Sequence, residues 1–238
     1  MKTILAFETS CPLLSVALGT REGKIFEARA RLPLQHSENL IPLVDRLLRG
    51  EKISLNDIDA FAIDRGPGSF TGLRIGFSLL KGFLAVKKRP CYGAFSLDMI
   101  ISPVRLPEGS RAGILVDARR DAIYARFYQR RQGDWAAEGK LELLSFSGLK
   151  TRIHKGTILM GDALTRYRGP LEEAFGDRIY LVHHPAPFSQ AATLVRWFQT
   201  KDKRLSPLTS QGDFTPLYFR TSEAEENKNR RKLKSHAR

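Results

Sequence analysis

The stretch Arg65-Gly66-Pro67-Gly68-Ser69-Phe70-Thr71-Gly72-Leu73-Arg74-Ile75-Gly76 follows a short apolar run, Ala60 to Ile63, and opens a longer one that reaches Val86. The local reading is strand, tight Gly/Pro turn, then helix. Two physical uses compete for its glycines. A Gly-rich turn feeding a helix N-terminus offers backbone N–H groups to an anion, with the Ser69 and Thr71 hydroxyls beside it. The spacing is neither the dinucleotide fingerprint nor a P-loop, which ends in Gly-Lys-Ser/Thr. Gly68, Gly72 and Gly76 recur every four residues, so they share one helix face and open a groove for close backbone approach. Each glycine inside a helix costs up to ~1 kcal/mol relative to alanine, a loss that close packing offsets. Contact with another helix is the favoured reading, and spacing leaves open whether that helix belongs to the same chain.

Outward from the motif, the first hundred residues read as an α/β lobe. Thr3 to Phe7 and Leu14 to Leu18 are apolar runs of strand length, and Lys24 to Leu32 alternates more loosely, with Pro12 and Gly23 between them. That pattern predicts a three-strand meander. Ser37 is placed to cap a helix whose amphipathic face carries Leu40, Ile41, Val44, Leu47 and Leu48 before Gly50. Pro90 to Ala94 starts a further strand, and Ser96 is placed to cap a short apolar turn. The helices between the later strands are long enough for right-handed parallel crossovers, so a mixed sheet is expected. Residues 102–110 read as a hinge. Beyond it come strands at Ala112 to Val116, Ile123 to Tyr128 and Thr157 to Met160, a helix from Asp162 to Phe175 broken at Gly169-Pro170, and a helix from Ser189 to Thr200. Residues 132–156 give no clear pattern. The expected organisation is a lobe at 1–101, a second at 102–220 whose final helix is a candidate to pack back on the first, and a disordered basic tail at 221–238.

Composition bounds the answer. The 238 residues are 42% hydrophobic and 27% charged, with 19 Gly, 12 Pro and 2 Cys, which excludes a disordered polyelectrolyte, a collagen-like fibre and a disulfide scaffold. Cys11 and Cys91 are expected as reduced, buried thiols. Ile4 to Phe7 is too short for a signal-peptide core, and Leu79 to Val86 falls far short of the ~20 residues that span a bilayer. A cytoplasmic protein without membrane association is the expectation. The net charge of +14 divides as +4 over 1–101, +7 over 102–220 and +3 over 221–238. Such a surface favours polyanions through counterion release, placing RNA or DNA nearby without specifying it; a solvated surface and tail account for the same charge.

The run Gly66 to Gly76, after Ala60-Phe61-Ala62-Ile63-Asp64, resembles the signature of the TsaB (YeaZ) family, the bacterial non-catalytic partner in tRNA threonylcarbamoyladenosine (t6A) synthesis. Other pieces fit in order: Ile4 to Ser10 with Ser15 to Leu18, His36-Ser37-Glu38 with Leu40-Ile41-Pro42, Val116 to Arg120 with Ile123-Tyr124, and Pro216 to Arg220. The similarity covers most of 1–128, thins through 130–185 and returns at 216–220. It implies an actin-like, Hsp70-like ATPase fold (ASKHA, ribonuclease H-like) of two related lobes, with mixed sheets and flanking helices. It also implies partnership with TsaD, the catalytic paralogue, and with the ATPase TsaE. In that complex the threonylcarbamoyl group passes from threonylcarbamoyl-adenylate to N6 of adenosine 37 of tRNA. The family's partner interface is built from the first two helices, and the same surface supports a homodimer when TsaD is absent. Here that implies Leu40, Leu43, Leu47, Gly68, Phe70, Gly72, Leu73, Gly76, Phe77 and Leu80, although periodicity does not say which of them face inward.

A catalytic role is not expected. The TsaD metal site includes two histidines in a His-x-x-x-His helix, and imidazoles four apart on one face can share an ion. Laid against that helix, Gly93 to Ile100 puts Ser96 and Ile100 in those places. Neither can replace an imidazole. His36, His154, His183, His184 and His236 offer no ligand spacing, so no metal site is assigned. Glu8 and Asp117 read as the only carboxylates at strand ends where an actin-like cleft holds phosphate, and Glu8, Ser10 and Asp117 make a candidate vestigial nucleotide cleft. Glu8 stands where many superfamily members have Asp, and turn hydrogen bonds are the plainer role for both acids. No cofactor is expected beyond weak ATP or ADP binding, in the complex more than in this chain. The alternative to a scaffold subunit is a stand-alone enzyme of the same fold, such as a small-molecule kinase or carbamoyl transferase, or a glycoprotease-like peptidase. Neither a Gly-Lys phosphate motif nor a Gly-x-Ser-x-Gly elbow supports it.

Overall fold

The apolar run near the N-terminus finds its reason in the computed structural model, which describes residues 1–31, 36–182 and 189–216. The first strand, β1 (Ile4–Glu8), is buried throughout because it lies inside a six-stranded sheet covered by helices on both faces. It runs antiparallel to β2 (Leu13–Gly19), which pairs antiparallel with β3 (Ile25–Arg31). On its other side it runs parallel to β4 (Ala60–Asp64), which is parallel to β5 (Cys91–Ala94). Leu5 and Phe7 face α1 (His36–Gly50) and α2 (Phe70–Val86), together with Leu14, Val16 and Leu18 of β2. Ile4 and Ala6 face the other way, onto a helix from the far end of the chain, Ala191–Thr200.

The second sheet repeats the first. After α3 (Ser96–Ile101) come β6 (Arg111–Asp117), β7 (Ala122–Arg131), β8 (Asp134–Ser145), the short α4 (Phe146–Lys150), β9 (Thr157–Met160), α5 (Leu164–Phe175) and β10 (Ile179–Leu181). The order β10-β9-β6-β7-β8 reproduces β5-β4-β1-β2-β3 with the same parallel and antiparallel pairings. This is an α/β fold of two related, actin-like lobes. Leu149 of α4 and Leu164, Tyr167 and Leu171 of α5 cover one face of the second sheet. Leu97, Ile100 and Ile101 of α3 cover the other, against Ala112, Ile114 and Val116. Residues 189–216 then return to the first sheet, where α6 (Ala191–Thr200) packs and β11 (Ser206–Pro207) pairs with β5. Each lobe thus covers one face with the helix that follows the other lobe's last strand.

Four local expectations change. Residues 132–156 hold β8 and α4; β8 is an edge strand, largely exposed, and its register shifts opposite Ala125 and Phe127, so no clean alternation marks it. Gly139, at φ +81 within that shift, takes a conformation that favours glycine. Helix α5 runs unbroken through Gly169-Pro170, because burying Leu164, Tyr167 and Leu171 outweighs the local proline penalty. Ser96 is the first residue of α3 rather than its cap, and α1 begins at His36, one residue ahead of the expected Ser37 cap. His183, His184, residues 217–220 of the closing motif, and the tail at 221–238 with His236 lie outside the described residues.

Candidate functional site

The groove made by Gly68, Gly72 and Gly76 is filled by the chain's own β1–β2 loop. A Cβ at Gly68 would stand 2.4 Å from the Ser10 carbonyl oxygen, one at Gly72 1.9 Å from the Thr9 carbonyl oxygen, and one at Gly76 2.5 Å from Thr9 Oγ1. All three are closer than non-bonded atoms approach. The occupant is therefore neither another helix nor an anion. The turn's donors are also engaged internally: Ser69 N–H donates to the Ser10 carbonyl at 2.6 Å, and Gly72 N–H donates to Ser69 Oγ at 3.2 Å, capping α2. The four-residue spacing established a face for close approach, and only the fold shows what approaches.

The loop held by these glycines carries the titratable groups. Glu8, at the end of β1, is fully buried. Its Oε1 accepts from Ser10 N–H at 2.8 Å and from the Ser10 hydroxyl at 2.6 Å, and its Oε2 accepts from the Cys11 thiol at 3.0 Å. Asp64, at the end of the adjacent β4, is equally buried. Its Oδ1 accepts from Gly66 N–H at 2.7 Å and from the Ser96 hydroxyl at 2.9 Å, and its Oδ2 accepts from Ser189 at 3.5 Å. The two carboxyls share a hydrogen bond. Burial, then the Asp64 charge, pushes the Glu8 pKa well above the usual carboxylate range, so the pair keeps a proton where a free carboxylate has lost it. Burial also raises Asp64, against the hydrogen bonds it accepts. Burial, then the Glu8 charge, raises the Cys11 thiol, the opposite of what a nucleophile needs.

The second lobe repeats this arrangement. Asp162, just after β9, accepts from Asp117 N–H at 2.9 Å, and Asp117, ending β6, accepts from Arg119 N–H at 2.8 Å. Burial raises Asp162. Four carboxyls meet the lobe boundary, so the expectation that Glu8 and Asp117 stand there alone is corrected. The signal was present: Asp64 ends its apolar run as Glu8 ends Ile4 to Phe7, and Asp162 follows Thr157 to Met160 after one glycine. Between the lobes, Ser10, Cys11 and Pro67 on one side and Val116 and Asp162 on the other enclose about 10 Å³. That is room for about one water, whereas small-molecule sites run to roughly 300 Å³ and more. No imidazole stands among the lining residues. Among the described residues, no three His, Cys, Asp or Glu side chains come together as a metal site.

The helix faces also differ from expectation. Leu40, Leu43 and Leu47 of α1 and Leu73, Phe77 and Leu80 of α2 are at most 8% exposed; Leu73 lies against Gly66 of the turn, and the other five form one core with β1 and β2. As partner contacts these six are corrected, as are Gly72 and Gly76, because the chain's own sheet and loop occupy their faces. Phe70 is half-buried, with the Arg74 guanidinium 4.5 Å from its ring centroid. What the two helices present outward is a different set: Ile41, Pro42, Arg46 and Arg49 from α1, and Arg74, Ser78, Lys81 and Val86 from α2. Ile41 is 60% and Val86 88% exposed.

Comparisons with known proteins agree with this architecture. The family model of TsaD, tRNA N6-adenosine threonylcarbamoyltransferase, matches residues 32–140. The tRNA threonylcarbamoyladenosine biosynthesis protein TsaB of Escherichia coli K12 is 35% identical over 137 residues, 57% of this chain and 59% of that protein. The TsaB of Bacillus subtilis 168 is 26% identical over 230 residues, 94% of this chain and 96% of that protein. YeaZ from Pseudomonas aeruginosa superposes with a TM-score of 0.73 at 26% identity, over 92% of this chain and 100% of that one. The chain is similar to TsaB (YeaZ) proteins over nearly its whole length. At the two positions that the sequence reading lays against the TsaD histidines, the chain uses Ser96 to bridge Asp64 and the Pro67 carbonyl, and Ile100 to fill the core beneath α3. Among the described residues no helix is long and apolar enough to cross a membrane.

Proposed function

We propose that this chain is an accessory, non-catalytic subunit for t6A formation in the cytoplasm, supporting a TsaD-type catalytic subunit with TsaE as the third component. The observation that carries the reading is the sealed lobe boundary: Glu8 and Asp64 satisfy each other and the surrounding hydroxyls, and about 10 Å³ remains beside them. A cleft arranged in this way is a structural joint. The names of the E. coli and B. subtilis relatives place the family in tRNA threonylcarbamoyladenosine biosynthesis. The contact we assign to the partner is the outward face of α1 and α2, on which Ile41, Arg46, Arg74, Lys81 and Val86 are exposed; a homodimer uses the same face when the partner is absent. Nucleotide binding belongs to the assembled complex rather than to this chain, and the basic surface lies near tRNA.

Light scattering coupled to size exclusion tests the reading on the full chain, alone and mixed with its cognate TsaD-type protein. A heterodimer that Ile41→Asp with Arg74→Glu abolishes, while circular dichroism stays native, supports the outward face as the docking surface. Absence of any complex with the wild type overturns the subunit reading. An intact complex with the double variant overturns the face.

A further inference from the structure

On the α3 side of the second sheet, beyond the helix itself, lies an open groove of about 980 Å³. Alternation along β7 puts Arg126, Tyr128 and Arg130 on one face of the sheet. Trp135 of β8 and the loop residues Lys203 and Arg204 complete the lining. Five basic side chains, including Arg131, meet three acids there, and the acids are already engaged. Asp98 accepts from Arg126 at 3.0 and 2.9 Å and from the Tyr128 hydroxyl at 2.6 Å. Asp134 pairs with Arg204 at 3.1 Å, and Glu108 accepts from Gly133 N–H at 2.6 Å. The surplus charge therefore rests on Arg130, Arg131 and Lys203.

Arg130 is the informative member. It is only 8% exposed, and its guanidinium sits 5.6 Å over the Trp135 ring. Among the described residues no carboxylate lies within ion-pair distance of it, and its side chain donates no hydrogen bond. The stem is buried while the guanidinium nitrogens open onto the groove, so their donors are held by the Trp135 ring with no carboxylate to neutralise them, and the planar fork suits phosphate oxygens. We propose that this groove binds the phosphodiester backbone of tRNA, with Arg130 as the anchoring donor and Arg131 and Lys203 as flanking phosphate contacts. The identity of the polyanion rests on the t6A reading above; the groove itself rests on the charge count and on Arg130. Free nucleoside triphosphate shares the phosphate chemistry, and the experiment separates the two.

The experiment is a fluorescence-anisotropy titration of labelled, unmodified tRNA against the full chain across about 50 to 200 mM salt, where each phosphate contact is worth roughly threefold. Arg131→Glu with Lys203→Glu alters two exposed groove residues, and Lys24→Glu with Lys155→Glu imposes the same charge change elsewhere on the exposed surface. The groove pair is expected to weaken binding by about tenfold or more and to flatten the salt dependence by about two contacts, while the control pair costs under about threefold. Arg130→Lys keeps the charge, loses the fork and weakens binding with native circular dichroism. Equal losses in both pairs, no binding by the wild type, or displacement of tRNA by micromolar ATP each overturns the proposal. Partner co-elution without tRNA binding overturns the groove alone. Binding of tRNA without partner co-elution overturns the subunit reading alone.

Discussion

Replacing Glu8 by glutamine removes the proton that the buried carboxyl pair has to hold. In the folded chain burial and the Asp64 charge keep Glu8 protonated above the pH at which the unfolded chain releases that proton, near 4.5. A raised folded-state pKa gives stability that is fully present below the unfolded value and is lost as pH rises toward the folded one. For one proton the loss is about 1.4 kcal/mol per pH unit. The Asp64 shift has the same sign. Glutamine keeps the geometry: its oxygen accepts from Ser10 as Glu8 Oε1 does, its amide donates toward Asp64, and the Cys11 thiol still has the Leu13 carbonyl at 3.3 Å. Urea unfolding of both proteins at half-unit steps from about pH 5 to 8 reads the effect, and the difference between them cancels every titrating group outside the Glu8–Asp64 pair. Glu8→Gln should gain on wild type by about 1.4 kcal/mol per unit until Glu8 ionises inside the fold. A difference that stays constant across the range means Glu8 titrates like an exposed carboxyl, and the shared proton is refuted.

Gly72→Ala should destabilise by about 3 kcal/mol or more, since its Cβ meets backbone oxygen rather than a movable side chain. Gly82→Ala, in the same helix with nothing within 4 Å, should stabilise by about 0.5 to 1 kcal/mol; paired thermal melts with shifts of the same sign would contradict the packing argument. Tyr128→Phe removes a hydroxyl that donates to buried Asp98 and should cost about 1.5 to 3 kcal/mol in urea, a loss whose absence would show that the Asp98 network does not need it. Burial pushes the Cys91 thiol up to about 12 and raises Cys11 as well, so neither should react with iodoacetamide at pH 8 before unfolding; rapid labelling of the native chain would refute that.

Much of the fold was legible because its central strands are covered on both faces. Ile4 to Phe7, Ala60 to Ile63 and Thr157 to Met160 stand out as apolar runs, and the glycine motif marks where β4 hands over to α2. Edge elements were not legible. Strand β8 has one partner and a shifted register, and β10 and β11 span three and two residues, so neither alternation nor length announces them. Proline at 170 was read by its local preference, which the packed face of α5 overrides. The site divides in the same way. Glu8 and Asp117 could be placed at strand ends from their own apolar runs. Their partners Asp64 and Asp162 gain meaning only from the parallel pairings of β1 with β4 and β6 with β9.

The sequence by itself determined the α/β class, the meander and crossover order of the first lobe, the resemblance to TsaB proteins, and the existence of one helix face where a backbone comes close. Periodicity and turn chemistry are local, and those properties follow from local patterns. Tertiary structure alone decided what lies against that face. The apolar side of α2 is wide enough to meet a sheet, a loop or a partner, and its periodicity is the same in each case. Only the packed chain puts Thr9 over Gly72, turns Leu73, Phe77 and Leu80 into core, and leaves Ile41, Arg74 and Val86 facing outward. The duplicated carboxyl pairs and the Arg130 groove arise in the same way, from strands distant in sequence that a sheet sets side by side.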